Sequence, residues 1–254
     1  MYNVLPLFKS HFSIGKSILT LEKPEETIPT GPKSIVDICL KNSLDTMILV
    51  EDSMSGFLQA HLNCKEANLK LIYGVRLEVV SDMSDKTEDS FAGASKYIIL
   101  AKNDSGYNKL IKIYSLAAKD GFYYRPRIDF KNLKKLWSEK DLVLAVPFYD
   151  SFLYKNHFTY GECVTEFSFC KPIFFEEKNN LPFDTHLSKR VLDFCKDKFE
   201  IFKAKSIYYN LKEDFSSYLA FKCISNRSTL SMPRFEHMSS DRFSFESWKE
   251  ENDN

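Results

Sequence analysis

Glycine is scarce in this chain, at 8 of 254 residues. No G-x-G-x-x-G and no G-x-x-x-x-G-K-[ST] run occurs. The backbone cradles that wrap nucleotide phosphates are therefore missing. An excess of one charge is missing too: Lys+Arg and Asp+Glu both count 35, for a formal net charge of +0. The bulk positive field of a dedicated DNA binder is excluded, although a local patch is not. Histidines number 5, and no two of His11, His61, His157, His186 and His237 lie within four residues of each other. H-E-x-x-H and similar ligand spacings are absent, and ordinary surface or capping roles suit most of these side chains. The 6 cysteines, Cys39, Cys64, Cys163, Cys170, Cys195 and Cys223, form no C-x-x-C pair, which disfavours a cysteine zinc site. No G-x-S-x-G elbow occurs. No apolar run approaches the roughly 20 residues that span a bilayer. The start, Met1 to Lys9, lacks the basic-then-apolar order of a secretory leader. The expectation is a reduced, cytoplasmic protein whose thiols serve as small hydrophobes.

Aromatics, by contrast, are abundant at 15%, with 22 Phe and 13 Tyr. That excludes a disordered chain. The length suits one large domain with a self-sufficient core. Helical spacing runs through Lys33–Leu44, Ser53–Ala67, Ser105–Lys119, Thr185–Lys196 and Asp214–Ile224, with a short helix around Leu133. Apolar runs at Thr46–Val50, Tyr97–Ala101, Leu142–Val146 and Phe199–Lys203 predict strands, and Leu69–Val80 reads as a strand pair broken at Gly74. Ser81–Ser95 is acidic and Ser-rich and predicts a surface loop. Strands alternating with helices argue for a mainly parallel α/β sheet or barrel. Ser228–Asn254 has no clear period, and its end, Lys249–Asn254, predicts a frayed tail.

Two local features carry chemistry. Glu51-Asp52 follow directly after the Thr46–Val50 strand, the position where α/β barrels place reactive groups. The competing reading is an N-cap for the next helix. Tyr123-Tyr124-Arg125-Pro126-Arg127 mixes rings and cations. Such a cluster suits stacking and neutralisation of a nucleic-acid strand, or an interface, or a loop whose arginines simply reach solvent.

Order and spacing then resemble a family. Pro6–Ser17 is similar to the "LHxHSxYSxxDG" opening of the PHP (polymerase and histidinol phosphatase) domain of bacterial DNA polymerase III alpha subunits. Leu49–Phe57 resembles its "LTDHxxxxGxxxF" segment, and Leu71–Arg76 its "xPIIGxE". Ile99–Leu110 resembles "LLAKNxxGYxNL", and Phe122–Asp129 is similar to "FYYKPRID". Lys212-Glu213-Asp214 sits like "PEDxxxH", and Arg242–Ser247 resembles the join to the polymerase body. The resemblance covers nearly the whole chain. It implies a distorted TIM-like (β/α)7 barrel of the PHP type over residues 1–227, and a C-terminal extension over residues 228–254.

The family's site implies two or three metal ions held by His, Asp and Glu. Carried over by position, those ligands fall on Leu7, Lys9, Lys16, Val50, Glu51, Arg76, Ser206 and Tyr208. His157 is a candidate for a middle histidine by position only. Glu51 alone keeps a ligand-capable side chain among the eight, while Leu and Val bind no cation and Lys or Arg repels one. The expectation is no metal, no cofactor and no catalytic residue, with Lys9, Lys16 and Arg76 forming ion pairs around Glu51. Two alternatives stay open: that these cations are simply solvated, and that a phosphoesterase or nuclease works through an unrecognised site. The resemblance implies a non-catalytic module beside a bacterial or phage replicative polymerase body. A proofreading exonuclease is a further implied partner, DNA a weak one, and a membrane none. A stand-alone binder of host replication proteins is the other alternative. The chain stops about where the polymerase body should start, so a split subunit, a phage-type stand-alone homologue or a piece cut from a longer protein is expected.

Overall fold

The computed structural model describes residues 2–230 and 240–253. His237 and residues 231–239 of the expected C-terminal extension lie outside the described residues. The strands are β1 (Leu5–Phe8), β2 (Thr46–Glu51), β3 (Lys70–Val80), β4 (Ser95–Ala101), β5 (Arg127–Asp129), β6 (Leu142–Val146), β7 (Ile173–Glu176) and β8 (Glu200–Ile207). The α-helices are α1 (Ile35–Lys41), α2 (Phe57–Glu66), α3 (Asp104–Lys119), α4 (Phe130–Leu136), α5 (Phe152–Phe158), α6 (Asp184–Cys195), α7 (Phe215–Ser225) and α8 (Phe245–Asn252). The strand order is β2-β1-β8-β7-β6-β4-β3-β5, with β2 also paired to β3. Seven strands thus follow a closed order, and β5 is added beside β3. This is the connectivity of a distorted TIM-like α/β barrel, as the sequence predicts.

Two compact units make up the chain. The first comprises Met1–Tyr73, Glu177–Asp184 and Lys203–Asn254; the second comprises Gly74–Glu176 and Thr185–Phe202. In the first unit, β1 is parallel to both β2 and β8, with Leu7 opposite Ile48 on one side and Ser206 on the other. Five of the six residues of β2 are buried, as a parallel strand covered on both faces requires. Ser34 caps α1 by accepting from the Asp37 amide.

In the second unit, β4 runs antiparallel to β3 and β6, so the sheet is mixed and not purely parallel. Asn103 caps α3 by accepting from the Gly106 amide at 2.8 Å. Gly106 has to be glycine, because a Cβ there would lie 2.1 Å from the Asp141 carbonyl oxygen.

Three expectations need correction. Gly74 does not break a strand pair: β3 is continuous, and Gly74 pairs with Leu100 inside the antiparallel ladder. The strand expected at Phe199–Lys203 continues to Ile207, because Ala204–Ile207 are buried and pair with β1. Through Asp253, the described end of the chain is not frayed. Within the first unit α8 buries Phe245 and Trp248, and the Trp248 indole donates to the Val4 carbonyl at 2.8 Å. Asn252 Oδ1 accepts from the Asn3 amide at 3.0 Å. Two aromatics one helical turn apart outweigh the polar composition around them. Ser81–Ser95 is largely exposed as expected, with a single 3-10 turn at Glu88–Phe91. Among the described residues, no helix is long and apolar enough to cross a membrane.

Candidate functional site

Parallel strands of an α/β sheet present their carboxyl ends along one edge, where such folds gather polar chemistry. In the first unit that edge is built by β1, β2 and β8. Glu51 ends β2 and is fully buried. Its Oε1 accepts from the Ser10 amide at 2.8 Å and from Ser10 Oγ at 2.5 Å. Ser13 Oγ donates to its Oε2 and itself accepts from the Asp52 amide at 2.9 Å. Burial pushes the Glu51 carboxyl pKa up, while the Lys9 charge and the serine bonds pull it back. Lys9, just past β1, is buried, and its ammonium donates to Asp52 Oδ1 at 2.6 Å. Lys16 is half-buried in the following turn, where its amide donates to the Ser13 carbonyl.

The other positions of the first unit fill the interior. Leu7 and Val50 are buried apolar side chains within β1 and β2. Tyr208 is buried, with Phe243 and Tyr218 stacked at ring-centroid distances of 5.2 and 6.0 Å. Ser206 on β8 serves a carboxylate that sequence reasoning missed. Its amide and hydroxyl both donate to Glu177 at 2.9 Å, and Asn179 Nδ2 donates at 3.2 Å. Burial pushes the Glu177 carboxyl pKa up, against these bonds and the Lys205 charge. The signal for Glu177 was its place one residue past the Ile173–Glu176 strand, the same relation that marked Asp52. Lys205 is also buried; its ammonium donates to the Lys178 carbonyl at 2.6 Å and to Glu251 at 2.5 Å. Glu251 in turn accepts from Arg242 at 3.4 Å.

Within the second unit, Arg76 lies buried in β3. Its Nη2 donates to the Tyr149 carbonyl at 2.8 Å and to Asp150 Oδ2 at 3.1 Å. Arg76 thus has a carboxylate of its own unit, Asp150, which the sequence did not single out.

The Tyr123–Arg127 cluster divides. Arg127 is 0% exposed and donates to the Asp85 carbonyl at 2.8 Å, to Ser90 Oγ at 2.7 Å and to the Gly121 carbonyl at 3.3 Å. It braces the acidic loop from inside and is not available to an outside partner. Tyr123 stacks on Phe91 with centroids 5.3 Å apart. Arg125 is paired with Glu78 at 2.7 Å, yet half-exposed. Tyr124 is 74% exposed and sits at φ 58°, a left-handed conformation uncommon for a large residue. Asp82, Asp85, Glu88 and Asp89 are exposed on the loop that Arg127 braces. They weaken any pull on nucleic acid there.

The histidines scatter. His11 is half-buried with Nδ1 3.3 Å from the Leu19 carbonyl oxygen. His61 is exposed and meets the Tyr73 hydroxyl at 2.8 Å. His157 is exposed on α5, and His186 is exposed on α6. Among the described residues, no three His, Cys, Asp or Glu side chains are grouped so as to hold a metal ion.

The PHP domain family model matches residues 30–211, which include Glu51, Arg76 and Ser206. The chain belongs to the PHP domain family. Segments of three curated relatives are similar to this chain. DNA polymerase III subunit alpha of Borreliella burgdorferi is 32% identical over 111 residues, 41% of this chain and 10% of that protein. The subunit of the same name in Chlamydia muridarum is 36% identical over 85 residues, 33% of this chain and 7% of that protein. In Aquifex aeolicus the identity is 53% over 38 residues, 15% of this chain and 3% of that protein. The match thus spans 10% or less of these relatives' length.

Proposed function

We propose that this PHP domain is a non-catalytic module that works beside a replicative DNA polymerase body in DNA replication. Its likeness to segments of DNA polymerase III alpha subunits supports the setting. The observation that carries the non-catalytic reading is the Lys9–Asp52 pair. Lys9 stands where the resemblance places a metal ligand, and its ammonium already engages the Asp52 carboxylate. Leu7 and Val50 offer no donor atom, and Arg76 carries a positive charge. Both oxygens of Glu51 are taken up by Ser10 and Ser13. This residue set does not fit the family's metal ions, so no hydrolytic step is drawn through them.

The implied role is structural: to present a folded surface to the polymerase body or to a proofreading exonuclease in the cytoplasm. The test is a pull-down of the full chain against a polymerase III alpha body lacking its PHP domain, and against the exonuclease subunit. Retention of either supports the role. Failure to retain both, or phosphoesterase turnover with added manganese, overturns it.

A further inference from the structure

We propose that the Glu88–Phe91 turn and two exposed tyrosines beside it, Tyr124 and Tyr160, form a docking surface for an extended segment of a partner protein that carries lysine or arginine next to apolar residues. All of these residues lie in the second unit. Phe91 ends the turn, and its ring meets those of Tyr123 and Tyr124 with centroids 5.3 and 6.0 Å apart. One residue on, the Ala92 carbonyl accepts from the Glu162 amide at 3.0 Å, which fastens the loop of Tyr160 and Val164 to the same turn. Tyr124 is 74% exposed, Tyr160 93% and Val164 65%. Both tyrosines have left-handed backbones, at φ 58° and 54°. A single exposed apolar side chain is ordinary, but a group of them around one turn marks a contact surface.

Charge selects the occupant. Glu88 and Asp89 are exposed on the turn itself, and among the described residues neither forms an ion pair. Glu88 lies close enough for its charge to act on the Tyr123 hydroxyl. The cations of these segments are already engaged. Lys86 donates to the Asp120 and Phe122 carbonyls at 2.8 and 2.7 Å, Arg125 pairs with Glu78, and Arg127 is buried. The two acids thus attract a cation from outside and repel the phosphates of nucleic acid or of an anionic membrane. A lysine or arginine of the partner also gains from the exposed Tyr124 ring. The rings supply contact area and the acids supply the preference. The inference deepens the module role proposed above by naming what its surface takes.

The experiment selects random dodecapeptides displayed on phage against the full chain, then measures binding of the enriched peptides by fluorescence anisotropy. Enriched sequences are expected to combine lysine or arginine with apolar residues. They are expected to bind roughly 10-fold or more weakly to Tyr124→Gly, to Tyr160→Gly and to a Glu88→Lys, Asp89→Lys double variant. Glycine tolerates the left-handed backbone and the charge change sits on an exposed turn, so all three variants should keep the wild-type urea midpoint. Absence of enrichment overturns the proposal, as do enriched sequences that are acidic or uncharged, or binding that all three variants keep. Wild-type binding of a labelled oligo(dT) strand, or wild-type self-association, that Tyr124→Gly abolishes overturns it too. The pull-down reads separately. Basic peptides bound by a chain that neither polymerase nor exonuclease retains would sink only the replication role, and retention without such peptides only this inference.

Discussion

Arg127 Nη2 lies 2.8 Å from the Asp85 carbonyl oxygen, so the one wholly buried arginine in the Tyr-Tyr-Arg-Pro-Arg run points inward to the acidic loop. Its partners are two carbonyls and a hydroxyl, and its guanidinium also lies 5.0 Å from the centroid of the Tyr123 ring. A planar fork with fixed donors suits this task, and a lysine cannot reproduce it. Arg127→Lys should therefore destabilise the chain by about 2–3 kcal/mol, through lost charge-assisted bonds. Urea midpoints give the measure. A shift below about 0.5 kcal/mol, the range of ordinary surface changes, would count against a bracing role.

Glu177 makes stability pH-dependent in a defined sense. Burial raises its folded pKa above the ordinary glutamate range. The folded state then holds its proton more tightly than the unfolded state does. Stability from this group is fully present below the unfolded pKa and is lost as pH rises through the folded one. Glu51 acts in the same direction. Buried Lys205 is shifted down, chiefly by burial and also by Arg242, with Glu251 and Glu177 opposing, so it acts in the opposite sense: its contribution is lost as pH falls through the folded pKa and grows toward alkaline pH. A Glu177→Gln amide can keep the local bonds. Its oxygen takes the place of Oε2, which accepts from the Ser206 amide and Asn179, and its NH2 donates to Ser206 Oγ. The stability of Glu177→Gln relative to wild type should rise between pH 5 and pH 8. Parallel stability curves in that window would remove Glu177 as the source.

The two carboxylates show what could be read from the sequence. Glu51 was legible because it closes a five-residue apolar run, Thr46–Val50, that can only be a buried strand. Glu177 was not, because its strand is four residues long, ends in an acid, and is followed by a second acid and a lysine. Nothing local says which of Glu176, Glu177 and Lys178 turns inward. Likewise, the cations at Lys9 and Arg76 were legible as replacements, but their partners Asp52 and Asp150 were not assigned. Partner choice depends on where loops after different strands end up, and side-chain pattern carries no record of that. The closed α/β strand order was legible because the alternation of helical and strand periods survives single errors, such as the break expected at Gly74.

Trp248 ties the end of the described chain to its start. It is 3% exposed, its ring stacks on Phe245 at 5.2 Å, and its indole donates to Val4 next to β1. Trp248→Ala should cost about 3–5 kcal/mol, from lost burial and a cavity. Trp248→Phe should cost less, since it loses mainly the indole bond to the Val4 carbonyl. Denaturant unfolding of both variants tests the order. Equal losses would mean that the hydrogen bond, not the packing, dominates.

Tyr124 and Arg125 are the members of the aromatic–basic run that solvent reaches. Arg125 is 54% exposed in its side chain and Tyr124 carries a left-handed backbone. Residues two apart share a face in a strand, so strand geometry alone does not separate them; Arg127 opens β5 and is buried, whereas Arg125 lies before the strand, next to the left-handed backbone of Tyr124. Replacing Tyr124 by Gly should relieve left-handed strain and leave stability within about 1 kcal/mol of wild type. Arg125→Ala leaves Glu78 without its guanidinium and should cost about 1–2 kcal/mol, because Glu78 itself is buried. If this face contacts a polymerase or exonuclease subunit, Tyr124→Ala with Arg125→Ala should weaken retention in the pull-down by 10-fold or more, the scale of a hot-spot pair. Unchanged retention by a folded double variant assigns the run to the fold alone.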